Sequence, residues 1–290
     1  MAQNKIYFNG KIVASEQATI SILDRGFLYG DGLFESLRTQ QQVPFQLDAH
    51  IKRLLRGLKL LKIRAPLSAN QFKLAVKKTL AANKFKETYI KIIVTRGQAS
   101  SHGLDPSNTA SRPNVIIYVA EQKPYPQRLF QTGWKAIISS VVKNNNPSAR
   151  LKSLCYLDNI LAKLEAKKVG ANEAFLLDNK GNLAEGTSSN IFIVKHGTLY
   201  TPTLESPILA GTTRALAIKL AKQAAIPIIK KTLSPRELYT ADECFITLSG
   251  PGIVPITKIW HKRLSQGKCG SLTSSLLILY NAEIKKRGST

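Results

Sequence analysis

The sequence predicts a two-domain fold of the α/β (α+β) class. Three observations carry that expectation: strand-like and helix-like segments alternate through residues 1–120, a stretch without usable periodicity follows at 121–133, and a second alternating run fills 134–290. At 290 residues the chain is long enough to bury two modest cores. Hydrophobic residues at 43% and charged residues at 21% are ordinary values for a globular protein and argue against disorder of the whole chain.

In the first domain, KIYFNGKIV reads as a hairpin closed by an Asn-Gly turn, and YIKIIVTRG and NVIIYVA are β-rich runs. Between them, AHIKRLLRGLKLLKI spaces Ile51, Leu54, Leu55, Leu58 and Leu61 by three or four residues, which is one face of a helix. Residues 121–133, EQKPYPQRLFQTG, hold two prolines and a glycine and are expected to be the interdomain loop. The second domain, expected to carry the chemically active lysine, opens with the strand-like KAIISSVV. The amphipathic helix LDNILAKLEAKK follows, then strands from AFLLD to the hairpin FIVKHGTLYTP. GTTRALAIKLAKQAA gives a further helix, with Ala217, Leu220, Ala221 and Ala224 aligned on one side.

Bulk properties exclude several classes. No stretch approaches the roughly 18 consecutive apolar residues of a membrane span, and the opening MAQNKIYFNGKIV lacks a basic-then-apolar signal pattern, so a cytoplasmic location and no membrane partner are expected. Cys155, Cys244 and Cys269 are odd in number and widely spaced, which suits reduced thiols rather than a disulfide framework or a metal site. The net charge of +24 raises the question of nucleic acid. Its lysines are spread through segments such as FKLAVKKTLAANKFK, however, and no nucleic-acid-binding spacing accompanies them, so solvated helix faces are the better reading.

Two segments point to chemistry. RLKSLCYLDNILAKLEA sets Lys152 among apolar neighbours directly before a helix, where partial shielding from water would make its amine available to attack an aldehyde. LAGTTRALAIKLA opens a helix with Gly211, which permits close approach, and with Thr212 and Thr213, whose amides and hydroxyls suit a phosphate. A surface lysine and an ordinary helix cap would account for each segment alone.

Taken together and in order, DRGFLYGDGLFESLR, HIKRL, KSLCYLDNILAKLEA with EGTSSNIF, and GTTR resemble the class IV aminotransferases over most of the chain. The resemblance implies a fold type IV, D-amino-acid-aminotransferase-like enzyme using pyridoxal 5′-phosphate (PLP). It implies that Lys152 binds the cofactor covalently and is the catalytic residue, and that Glu185 of the E-G-x-x-x-N-[IVL]-F run contacts the pyridine nitrogen. A carboxylate there keeps the nitrogen protonated, so that the ring withdraws electrons from the substrate's Cα. By the same resemblance Arg53 of the H-x-x-R-L element and Ser249 join Thr212 and Thr213 at the phosphate, Tyr156 faces the phenolic oxygen, and the enzyme is a homodimer.

The family hosts L-branched-chain aminotransferases, D-amino-acid aminotransferases and 4-amino-4-deoxychorismate lyases, and fold alone does not separate them. Tyr156 and the GLDP segment match the branched-chain pattern, although Lys91 stands where an arginine is usual. Ser36 and the GIVP ending match the lyases. QASSHG lacks the arginine that D-specific enzymes carry after V-T-R-G, which ranks that reading third. Tyr29, Phe34, Ser36, Tyr89 and Lys91 are the candidate substrate pocket, and the expected substrates are an amino acid and a 2-oxo acid.

Overall fold

A computed structural model describes residues 4–288. It divides into two compact units: residues 4–123 with 151–155, and residues 124–150 with 156–286.

The first unit begins with the hairpin β1 (Lys5–Phe8) and β2 (Lys11–Ala14). Asn9 and Gly10 both take positive φ, 48° and 100°, as the expected two-residue turn requires. Then come α1 (Arg25–Tyr29), β3 (Gly32–Gln40), β4 (Val43–Pro44), α2 (Leu47–Leu60), α3 (Ala69–Asn83), β5 (Thr88–Thr95) and β6 (Asn114–Glu121). The strands form one six-stranded sheet in the order β2-β1-β6-β5-β3-β4. Alternation along β3 sends Leu33, Glu35, Leu37 and Thr39 to the buried face, while Phe34, Ser36 and Arg38 stay half-buried on the other. Leu33, Leu37, Ile90, Ile92 and Ile117 pack with Ile51, Leu54, Leu58 and Phe72 of the two helices in one core. Each such side chain contributes about 1.5–3 kcal/mol when fully buried. A capping box starts α3, in which the Ser68 hydroxyl accepts from Gln71 N and the Gln71 side chain accepts from Ser68 N at 2.8 Å.

The second unit contains α4 (Arg128–Thr132), β7 (Trp134–Lys143), α5 (Leu157–Lys168), β8 (Glu173–Asp178), β9 (Leu183–Gly186), β10 (Asn190–Lys195) and β11 (Thr198–Thr201). It continues with α6 (Thr212–Gln223), β12 (Ile228–Lys230), α7 (Pro235–Tyr239), β13 (Glu243–Leu248), β14 (Gly252–Ile259), β15 (Lys262–Arg263) and α8 (Ser271–Gly288). Its sheet runs β12-β11-β10-β13-β14-β7-β8-β9, with β15 on β14. The β7–β8 pair is parallel, so the chain between them must cross over, and α5 lies on that crossover. Phe175, Ile191, Ile193, Ile246, Val254 and Ile256 form the main core.

Three expectations are corrected. The stretch 121–133 is not all loop, since β6 runs through Glu121 and α4 occupies Arg128–Thr132. The segment carrying Lys152 groups with the first unit, because its backbone bonds to β3: Phe34 N donates to Lys152 O at 2.9 Å and Leu154 N to Gly32 O at 3.1 Å. Beyond β4 that edge of β3 is open, and an isolated bridge between Leu33 and Ser153 closes it. The helix periodicities also mislead in part. Ala224 is exposed as the C-cap of α6, and α5 buries only Ala162 and Ala166 while Leu157, Ile160, Leu161 and Leu164 stay exposed.

Candidate cofactor site

In the first unit Lys152 is fixed by the backbone bonds just given, and its ammonium nitrogen lies 4.5 Å from the centre of the Phe34 ring. Lys91 reaches the same ring at 4.7 Å. The β3–β5 register explains the gathering, since it sets Ser36 opposite Lys91 and Arg38 opposite Tyr89 and leaves these side chains on one face with Phe34. On that face the Ser36 hydroxyl and the Tyr89 hydroxyl lie 3.0 Å apart. Phe34, Ser36, Tyr89, Lys91 and Lys152 are therefore brought together as expected within this unit. Arg38 joins them unforeseen, and its Nε is buried with no hydrogen-bond partner among the described residues.

Tyr29 ends α1, with the Arg25 guanidinium 5.1 Å from its ring. Gly30 caps that helix at φ 67°, and any Cβ there would strike the sulfur of Cys155. Arg25 is itself buried and donates to Asp31 Oδ2 at 2.9 Å and to the carbonyls of Gly103, Leu104 and Asp105, so it fixes the loop that holds GLDP.

On the buried face of β3, Glu35 accepts from His50 Nδ1 at 2.7 Å, from Arg53 Nε at 2.7 Å and from Arg53 Nη2 at 2.6 Å. Burial opposes ionisation of Glu35, but the hydrogen bonds and charge of Arg53 and His50 outweigh it and hold the carboxyl at about 2. Burial pushes the pKa of His50 down against the pull of Glu35, with the charges of Arg53 and Lys152 helping, so the ring is neutral and its Nδ1–H donates. Sequence reasoning misses Glu35 as a functional residue, although a signal exists. An acid at an inward position of the alternating GLFESLR must find partners, and His50 and Arg53 lie one turn apart on the apolar side of α2.

In the second unit Glu185 lies on β9 and is 6% exposed. Its Oε2 accepts from Leu209 N at 2.8 Å and from Asn190 Nδ2 at 3.2 Å, and Lys143 at the end of β7 donates to Oε1. Asn190 also donates to Leu209 O at 2.9 Å, which ties the E-G-x-x-x-N run to the approach to α6. The N-cap of α6 is Gly211, which supplies no side-chain cap, and a Cβ there would collide with Asn190. Thr212 and Thr213, the first residues of the helix, are buried. Arg214 turns away to donate to Pro202 O at 2.6 Å. Ser249 is half-buried in the turn between β13 and β14, and Tyr156 is the N-cap residue of α5. Lys143 and the role of Asn190 escape the sequence reading: Asn190 stands inside the motif, while Lys143 is one basic residue among many.

These side chains fit a phosphorylated pyridine aldehyde. A buried carboxylate held by the Leu209 amide and Asn190 on one oxygen and by Lys143 on the other stays ionised and suits a protonated ring nitrogen, and a helix start with a glycine N-cap and two buried threonines suits a phosphate monoester. A lysine amine against an aromatic face suits the aldehyde. Fold and residues thus define an enzyme class, the PLP-dependent enzymes of fold type IV. Within that class the chain belongs to the family described as amino-transferase class IV, whose sequence pattern matches residues 32–259. It is 42% identical to a Methanocaldococcus jannaschii protein provisionally named branched-chain-amino-acid aminotransferase, over 94% of this chain and 93% of that one. It is 36% identical to the aminodeoxychorismate lyase of Bacillus subtilis, over 97% and 94%. The structure superposes on the branched-chain aminotransferase of the thermophilic archaeon Thermoproteus uzoniensis, solved with norvaline, with a TM-score of 0.89 at 30% identity, covering 99% of this chain and 96% of that one.

Proposed function

We propose that this class IV aminotransferase moves the amino group between an L-amino acid of the branched-chain type and a 2-oxo acid, with Lys152 as the cofactor-binding and catalytic lysine. The observation that carries the reading is the pairing of Lys152 and Lys91 on the Phe34 ring. It joins a nucleophilic amine, a cation suited to a carboxylate and an apolar wall suited to a hydrocarbon side chain. Arg53, Thr212, Thr213 and Ser249 would hold the phosphate, Glu185 the pyridine nitrogen and Tyr156 the phenolic oxygen. Tyr29, Ser36 and Tyr89 would complete the substrate pocket.

Bound PLP supplies the electron withdrawal that makes the substrate's Cα proton removable. Lys152 takes that proton on its amine, which is the general-base step. Glu185, fixed by Asn190 and the Leu209 amide, would face the pyridine nitrogen and keep it protonated. Glu35 orients Arg53 through two parallel hydrogen bonds, so little is lost in ordering the guanidinium when it meets an anion. The exposed leucines and isoleucine of α5 support a homodimer, since an apolar helix face of that kind calls for a partner. Three thiols without a disulfide support a cytoplasmic location.

A second reading, 4-amino-4-deoxychorismate lyase, is favoured by one observation: the Ser36 and Tyr89 hydroxyls at 3.0 Å form a pair able to pass a proton. The experiment compares specificity constants for L-leucine with 2-oxoglutarate, D-alanine with 2-oxoglutarate, and aminodeoxychorismate. The branched-chain reading expects the first to dominate. Faster release of pyruvate and 4-aminobenzoate from the third would make the protein a lyase, and dominance of the second a D-specific enzyme.

A further inference from the structure

We propose that the first unit carries a second small-molecule site, lined by none of the residues assigned above, which takes an aliphatic carboxylate. A groove of about 830 Å³ lies among β4, the start of α2, α3 and the chain entering β5, within the range of about 300–1,000 Å³ that small-molecule sites occupy. Its floor is apolar. Val43 is 40% exposed there, Leu47, Leu80 and Phe85 are half-buried, and Val76 beneath them belongs to the core. Apolar surface left in water forgoes the stabilisation that burial gives, and a hydrocarbon chain laid along the floor recovers it.

The rim is cationic. Lys73 and Lys77 stand one turn apart on α3, Lys84 follows the last turn of that helix at φ 51°, and Lys86 lies two residues further on. Among the described residues only Lys73 of these four has a carboxylate partner, Asp48 at 3.0 Å, and Asp48 is 84% exposed, where such a pair contributes little. Glu87 is turned to other partners, its carboxylate accepting from Thr39 Oγ1 and Gln41 N, both at 2.6 Å, so it offsets part of the rim's charge without pairing with any one of these lysines. An apolar floor beneath incompletely compensated ammonium groups matches one ligand chemistry, a hydrocarbon chain ending in an anion.

The probe is decanoate, titrated calorimetrically into holoenzyme holding saturating 2-oxoglutarate, with decyltrimethylammonium as the cation of matched tail. Decanoate is expected to bind and the cation not to. The double variant K77E/K84E and the variant V43D should each bind decanoate about tenfold more weakly or worse, which is a loss of about 1.4 kcal/mol, with aminotransferase kcat/KM unchanged. Decanoate should also protect Lys77 and Lys84 from acetylation, read by mass spectrometry. Absence of decanoate binding, equal binding of the two amphiphiles, undiminished binding in K77E/K84E or unprotected lysines would each overturn the proposal. So would a change of oligomeric mass in K77E/K84E without loss of decanoate binding, which would give the groove to a second copy.

Discussion

Arg53 meets Glu35 edge to edge, its Nε 2.7 Å from one carboxylate oxygen and its Nη2 2.6 Å from the other, with His50 Nδ1 closing the set at 2.7 Å. Glu35 is 1% exposed, so its charge is tolerated only while these donors remain. Exchanging Glu35 for Gln keeps the shape and removes the charge. E35Q is expected to cost about 3–5 kcal/mol of stability, because Arg53 is left without its counter-charge, and to weaken PLP binding through a disordered Arg53. Urea unfolding without cofactor and PLP titration check the two effects separately. Unchanged PLP affinity in a folded E35Q protein would remove Arg53 from the phosphate site.

Acid should destabilise the first unit through the same residues. Glu35 has a folded pKa of about 2 against its ordinary 4.5, so its contribution is present above about 4.5 and is lost as pH falls through about 2. His50 is also held below its ordinary 6.5, so under more acidic conditions the unfolded chain takes a proton that the folded ring refuses. Both signs agree. Urea midpoints measured from about pH 8 down to about pH 2 should fall as pH falls, with the Glu35 part below about 4.5, and H50Q should flatten the part of the fall that begins near 6.5. An equally steep fall in H50Q would assign the acid sensitivity to other groups.

Glu185 is expected to act on the reaction far more than on cofactor retention. In E185Q the phosphate contacts remain, so PLP should stay bound, while removal of the Cα proton should slow by about a hundredfold or more. Single-turnover absorbance with L-leucine reads that step, and an unchanged rate would give the ring nitrogen another partner.

Ser36 separates the two reactions by mutation. Its hydroxyl is bonded to Tyr89, and S36A should alter branched-chain transamination by less than about tenfold while abolishing a lyase that passes a proton through that hydroxyl. Loss of transamination in a folded S36A protein, with Tyr89 intact, would show that the hydroxyl pair serves the aminotransferase itself.

Much of this is legible in the sequence because it rests on local rules. The Asn9–Gly10 turn, the apolar stripe of α2 and the span of α5 at Leu157–Lys168 follow from turn chemistry and periodicity. What the sequence hides is non-local. Nothing near Lys152 says that its backbone extends an open edge of β3, nor that Lys143 reaches Glu185 across the β7–β8–β9 part of the sheet. The apolar positions of α5 have the spacing of a core-facing stripe, yet the neighbouring strands cover only its alanines. The composition of a helix shows which faces are apolar, not what covers them.

The central claim is that Lys152 carries the cofactor. Borohydride reduction of holoenzyme, followed by proteolysis and mass spectrometry, tests it most directly. The expected result is a phosphopyridoxyl adduct on the peptide containing Lys152, with no adduct in a folded Lys152→Ala protein supplied with PLP. An adduct on Lys91, Lys143 or any other lysine, or none in folded wild-type protein saturated with PLP, would contradict the account.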